Sequence, residues 1–117
     1  MKWYVAKMIF KIVSGAGEHK AQFDEQVRLI TAENAEQAYK KAAVKGLHEE
    51  DSFLNHQQET VKWQYIAVAE LEELKELKDG IEIFSRIEDD VDESQYINMV
   101  KHKRDMIEMR IAKPLIN

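Results

Sequence analysis

The residues with the most chemical potential lie in one short run, Asp24-Glu25-Gln26-Val27-Arg28, which places two carboxylates, an amide and a guanidinium side by side. Adjacent carboxylates serve acid–base catalysis only when both face one pocket. The flanking pattern is that of a β-strand, where neighbouring side chains point to opposite faces, so Asp24 and Glu25 do not form a dyad. Phe23, Val27 and Leu29 are expected inward, and Asp24, Gln26 and Arg28 outward. Glu25 then falls on the apolar face, unless a bulge re-aims one carboxylate. Buried there, it needs a charged or hydrogen-bonding partner. It is either a general base with a raised pKa at a pocket mouth, or half of a structural ion pair or a rim residue. Nothing nearby supplies a companion nucleophile or base, which favours the ion pair or the rim.

Other candidates carry less. His48, Glu49, Glu50, Asp51 and His56 share a short stretch, but their spacing matches no recognised zinc pattern, and no metal site is expected. His102 and Asp105 stand three apart and read as an exposed ion pair. Ser85 lacks the GxSxG setting of a nucleophile. Gly15-Ala16-Gly17 is too short to cradle phosphate, and no helix start follows it. The chain has no cysteine, which excludes disulfides and thiolate chemistry and suits a reducing compartment. No catalytic set emerges, and no cofactor is implied.

The elements that would position these residues follow from periodicity. The even positions Tyr4, Ala6, Met8, Phe10 and Ile12 are all apolar, while Lys7 and Lys11 interrupt the odd ones, giving a strand over 3–13 with one buried face. Ser14-Gly15-Ala16-Gly17 turns the chain into a second strand, 23–30, and a hairpin. Asn34 is a good N-cap for a helix over 35–45, with Gln37 reaching back and Gly46 placed as a left-handed C′ residue. Ala35, Ala38, Tyr39 and Ala42 form its stripe. Residues 47–59 read as a loop anchored by Phe53 and Leu54. A third strand over 60–68 directs Val61, Trp63, Tyr65 and Ala67 to one face, with Phe10 and Trp63 buried together. Leu71, Leu74 and Leu77 suggest helical turns. A fourth strand covers 81–87, and a final helix runs from 93 to 112 until Pro114 stops it. The expectation is a single α+β domain over 1–117, in the order ββαββα. It has a four-stranded, mainly antiparallel sheet with both helices on one face.

Charge narrows the classes of function. The net charge of −5 argues against non-specific nucleic-acid binding. Residues 70–93 hold eleven acids against three bases, and residues 94–117 hold five bases against two acids. These runs read as solvated faces that attract one another, or as an acidic patch for a basic partner. The apolar opening is broken by Lys7 and Lys11 and has no cleavage site, so no signal peptide is expected. No apolar run approaches the roughly 20 residues of a membrane span. A cytoplasmic protein is expected.

The segments MKWYVAKMIFKI, FDEQVRLITAENAEQAYKKA, EDSFLN, VKWQYIAVAEL and DGIEIFSRIE resemble a family of small bacterial proteins, the domain of unknown function 4288. The resemblance spans roughly Met1 to Met109. It implies a bacterial cytoplasmic domain and carries over no activity or catalytic residue.

Two functional classes follow. The leading one is a non-enzymatic interaction or regulatory protein, with the immunity type among the forms that fit its charge. It docks a protein, or a second copy in a homodimer, through an open sheet face with Trp3, Asp24, Arg28, Phe84 and Arg86 as contacts. Trp3, Ile9, Ile66 and Phe84 among charges motivate it, and Arg28 and Arg86 would meet Glu82 or Glu88 of the other copy. The alternative is a small-ligand protein or enzyme with a pocket between sheet and helices near Glu25, Tyr39, Trp63 and Tyr65.

Overall fold

The computed structural model describes residues 1–113, apart from the side chain of Phe53. The element order is ββαββα, built from an antiparallel four-stranded sheet and two helices: β1 Lys2–Ser14, β2 Gln22–Ala32, α1 Ala35–His48, β3 Asp51–Leu54, β4 Thr60–Leu74 and α2 Glu93–Ala112. The strands lie in the order β2-β1-β4-β3, so β1 and β4 are central and β2 and β3 are edges. Two compact units form, Met1–Ser85 and Arg86–Asn117. Pro114 lies outside the described residues.

The alternation of β1 does what periodicity predicts. Tyr4, Ala6, Met8 and Phe10 are buried, and with Ile30, Ala32, Ala38 and Ala42 they form the core beneath α1. Small residues bring the helix close to the sheet. Asn34 caps α1, its Oδ1 accepting from Gln37 N at 2.8 Å, while Gln37 Oε1 accepts from Glu33 N at 2.6 Å. The helix runs past the expected end. Gly46 is inside it, not a left-handed cap, and a Cβ there would stand 2.5 Å from Cδ1 of Tyr65. That glycine serves close packing.

Five local expectations are corrected. The face of β2 is reversed: the uniform β1–β2 register sets Asp24 beside Phe10, Gln26 beside Met8 and Arg28 beside Ala6. These polar residues share the core face, and Phe23, Val27 and Leu29 point the other way. Residues 51–54 pair with β4 as a strand, where a loop was expected. Leu71 and Leu74 belong to a β4 that continues through Leu74, where helical turns were expected. Two register shifts against β1, between Lys7 and Met8 and between Ile9 and Phe10, mark bulges in that long ladder. They keep Val68 and Leu71 on the core face and turn Ala67 away. Residues 81–87 form no strand, since β3 and β4 already complete the sheet. Phe10 meets the ring of Tyr65 edge-on at 5.9 Å, and Trp63 packs at the core margin instead of inside it.

In the second unit Asp92 caps α2, accepting from Gln95 N at 2.9 Å. None of the helix's residues is buried. No described helix is long and apolar enough to cross a membrane.

Candidate functional site

The reversal of β2 brings its polar residues under α1, where they form a connected ladder. Arg28 Nη1 donates to Glu49 Oε1 at 2.7 Å, and its Nη2 also pairs with the second oxygen of that carboxylate. Nη2 donates to Gln26 Oε1 at 2.6 Å, and Gln26 Nε2 donates to Asp24 Oδ2 at 2.7 Å. Trp63 Nε1 completes the run by donating to the same Asp24 oxygen at 3.1 Å. A planar guanidinium facing a carboxylate two-pronged is the strong, directional form of ion pair. The Arg28 hydrogen bond is the main cause holding the Glu49 carboxyl below the ordinary glutamate value, with help from Lys45 3.5 Å away. Each group is occupied by the next, so the ladder positions β2 and the end of α1.

Tyr65 lies beside this ladder. Burial pushes its phenol above the usual tyrosine value, and Tyr39 adds to the shift. Its backbone N donates to Glu50 Oε2 at 2.9 Å. Tyr39, Trp63 and Tyr65 lie on the α1 side, where the close approach of Gly46 to the Tyr65 ring packs helix against sheet. Glu25 is not with them. It faces the opposite side of the sheet, paired along the ladder with Ile9.

On that outer side Lys7 is the organising residue, its side chain only 16% exposed. Its Nζ stands 2.5 Å from Glu25 Oε1 and 3.9 Å from Glu70 Oε2, a shielded oxygen with no hydrogen-bond partner. The same Nζ stands 6.0 Å from the Phe84 ring centroid, so the segment after β4 lies over this part of the sheet. Glu25 is thus the structural ion pair. Phe84 is part of the covering, while Trp3 remains half exposed, next to Leu74 and Thr31. Arg28 lies on the other face, bound to Glu49, and Arg86 pairs with Glu88 at 2.7 Å in the second unit. Of the expected docking residues, Trp3 and Phe84 lie toward the outer side of the sheet, Asp24 and Arg28 share the α1 face, and Arg86 belongs to the second unit. Among the described residues no cluster of three or more His, Asp or Glu is arranged to hold a metal ion.

The apolar row of β2 is left facing outward. Phe23 is 55% exposed, Val27 61% and Leu29 53%. Their strand is an edge, and no described strand pairs with its outer side.

A family model, Domain of unknown function (DUF4288), matches residues 3–85. The chain belongs to the DUF4288 family. The match takes in the sheet apart from Lys2, α1 and both polar clusters, and ends where the first compact unit ends. No curated protein and no solved structure matches the chain. Of the expected contacts, only Arg86 falls outside the DUF4288 match. Sequence reasoning missed Glu49, Lys7 and Glu70 as partners. For Glu49 a signal existed: an acid just past a helix end, following Lys45, is placed to meet a cation from the strand beneath.

Proposed function

We propose that this DUF4288 domain is a non-enzymatic protein-interaction module that docks its partner along edge strand β2. One observation carries the reading: an uninterrupted eleven-residue edge strand keeps Phe23, Val27 and Leu29 more than half exposed in a row. Natural edge strands are usually short, bulged, or guarded by lysine or proline, because unpaired backbone groups recruit other chains. The other edge, β3, follows that rule with four residues. Strand β2 has no proline, no lysine and an unbroken register with β1. Strand addition supplies main-chain hydrogen bonds, and the alternate side chains supply specificity. The polar ladder under α1 supports a scaffold role, since its groups are satisfied by one another. The acidic net charge suits a protein partner better than nucleic acid.

Amide exchange tests the docking reading directly. The inward amides of Gln26 and Arg28 are protected by β1 in every condition. Those of Phe23, Val27 and Leu29 exchange fast in dilute purified protein and slowly when isotope-labelled protein is placed in an extract of the native host. Fast exchange of the three outward amides both in the extract and in the purified protein at high concentration would remove β2 as a docking edge.

A further inference from the structure

The docking reading leaves the partner open, and the residues along β2 favour one occupant. The direction of the backbone groups is set by two hydrogen bonds. Gly15, the odd-numbered residue that follows β1, donates its N–H to Thr60 O on the β4 side at 2.8 Å. Odd residues of β1 therefore face β4 and even ones face β2. Even residues of β1 pair with even residues of β2, so the odd residues of β2 direct N–H and C=O away from the sheet. Independently, Thr31 O accepts from Lys41 Nζ at 2.8 Å, which requires an outward carbonyl. The outward-directed stretch is thus Phe23 to Leu29, with its far end closed by Lys41.

We infer that this stretch pairs antiparallel with the same stretch of a second copy, about a two-fold axis at Gln26. The inference rests on the docking reading and names its partner. A two-fold contact must be self-complementary. Centred on Gln26, the pairing sets Asp24 opposite Arg28 of the second copy on the α1 face, an opposite-charge pair. On the outer face it sets Phe23 opposite Leu29, an aromatic–aliphatic pair. Glu25 falls opposite Val27, and both are odd residues, so these pairs exchange main-chain hydrogen bonds. No like charges meet. Moving the axis to Val27 loses both matches, setting Phe23 against Thr31 and Arg28 against Gln26. The result is one continuous sheet through both copies.

The register makes the test specific. Gln26 meets its own copy in a non-hydrogen-bonded pair, where Cα atoms are about 4.5 Å apart, within the range a disulfide spans. In the cysteine-free chain, Gln26→Cys cross-links under mild oxidation, and Thr31→Cys does not. Light scattering of the wild type gives a dimer. Val27→Glu sits opposite Lys7 in its own chain but opposite Glu25 of the second copy, and weakens association about tenfold or more. Ile107→Glu on α2 leaves it unchanged. A wild type that stays monomeric at high concentration overturns self-pairing, and so does a dimer lost with Ile107→Glu and kept with Val27→Glu. Should the outward amides still be protected in the host extract while the purified protein is monomeric, docking stands and the occupant is a foreign strand.

Discussion

Trp63 on β4 donates a hydrogen bond to Asp24 on β2 across the full width of β1, at 3.1 Å. Two residues that are not on neighbouring strands thereby fix which face of β2 looks toward α1. An indole N–H that leaves water requires an acceptor, and Asp24 supplies it while also accepting from Gln26.

The bond predicts a measurable coupling. Trp63→Phe keeps a ring at the core margin and removes the donor, costing about 1 kcal/mol. Asp24→Ala removes the acceptor shared by Trp63 and Gln26 and costs more. The double variant is less destabilised than the sum, with a coupling near 1 kcal/mol by chemical denaturation. Strict additivity would mean that the indole bond contributes nothing.

The same bond shows where sequence legibility stopped. Strand β1 was readable because one face is uniformly apolar, and α1 because Asn34 and the alanine stripe state both its start and its buried side. Strand β2 was read backwards. Its more apolar row is the exposed one, and its polar row is half-buried through partners that lie 21 and 39 residues away, Glu49 and Trp63. Alternation reports that two faces differ, but not which one the core takes. The leucines at 71, 74 and 77 mimicked a helix by spacing alone, while pairing with β1 sets Leu71 beside Ala6 on the core face and Leu74 beside Trp3 on the other. The ion pair of Glu25 lies on the outer face and not on the apolar one, and Lys7 as its partner depended on register.

Gly46 gives a prediction in which two effects compete. Alanine is the better helix former by about 1 kcal/mol. Its Cβ, however, would stand 2.5 Å from Cδ1 and 3.2 Å from Cζ of Tyr65, so ring or helix must shift. Overpacking of this kind costs about 1–3 kcal/mol. Gly46→Ala is expected to lower the melting temperature, and Gly46→Ala with Tyr65→Leu to recover part of the loss. A stabilised single variant would show that the ring moves freely.

Lys7 is expected to matter more than its exposed partner. Glu25 has a side chain 55% exposed, so Glu25→Gln should change stability by less than about 1 kcal/mol. Lys7→Met keeps the aliphatic packing but leaves the shielded Glu70 oxygen without its nearby cation. The loss should reach about 1–3 kcal/mol, and Lys7→Met with Glu70→Gln should restore much of it. Equal effects of Glu25→Gln and Lys7→Met at neutral pH would place the balance of charge at the surface.

The last prediction concerns acid stability and follows from Glu49. Its carboxyl titrates lower in the folded protein than in the unfolded chain, first because of the hydrogen bond from Arg28. A depressed folded pKa means that the unfolded state takes up a proton first as pH falls. The stabilising contribution is complete above the ordinary glutamate value of about 4.3 and is lost as pH drops through the lower folded value. The side chain of Glu49 is about one-third exposed, so solvent screens the pair and the slope is modest. Unfolding free energy measured by urea between neutral pH and pH 3 should fall across that window. Glu49→Gln keeps an acceptor for Arg28 but removes the titration, so its curve should start lower at neutral pH and be flatter below pH 5. Arg28→Met should flatten the curve as well, since the cause of the shift is gone, and should also free Gln26 and weaken the ladder as far as Trp63. If both variants keep the wild-type slope through the acid window, the linkage resides in other carboxylates and the Arg28–Glu49 fork is only a geometric clasp between β2 and α1.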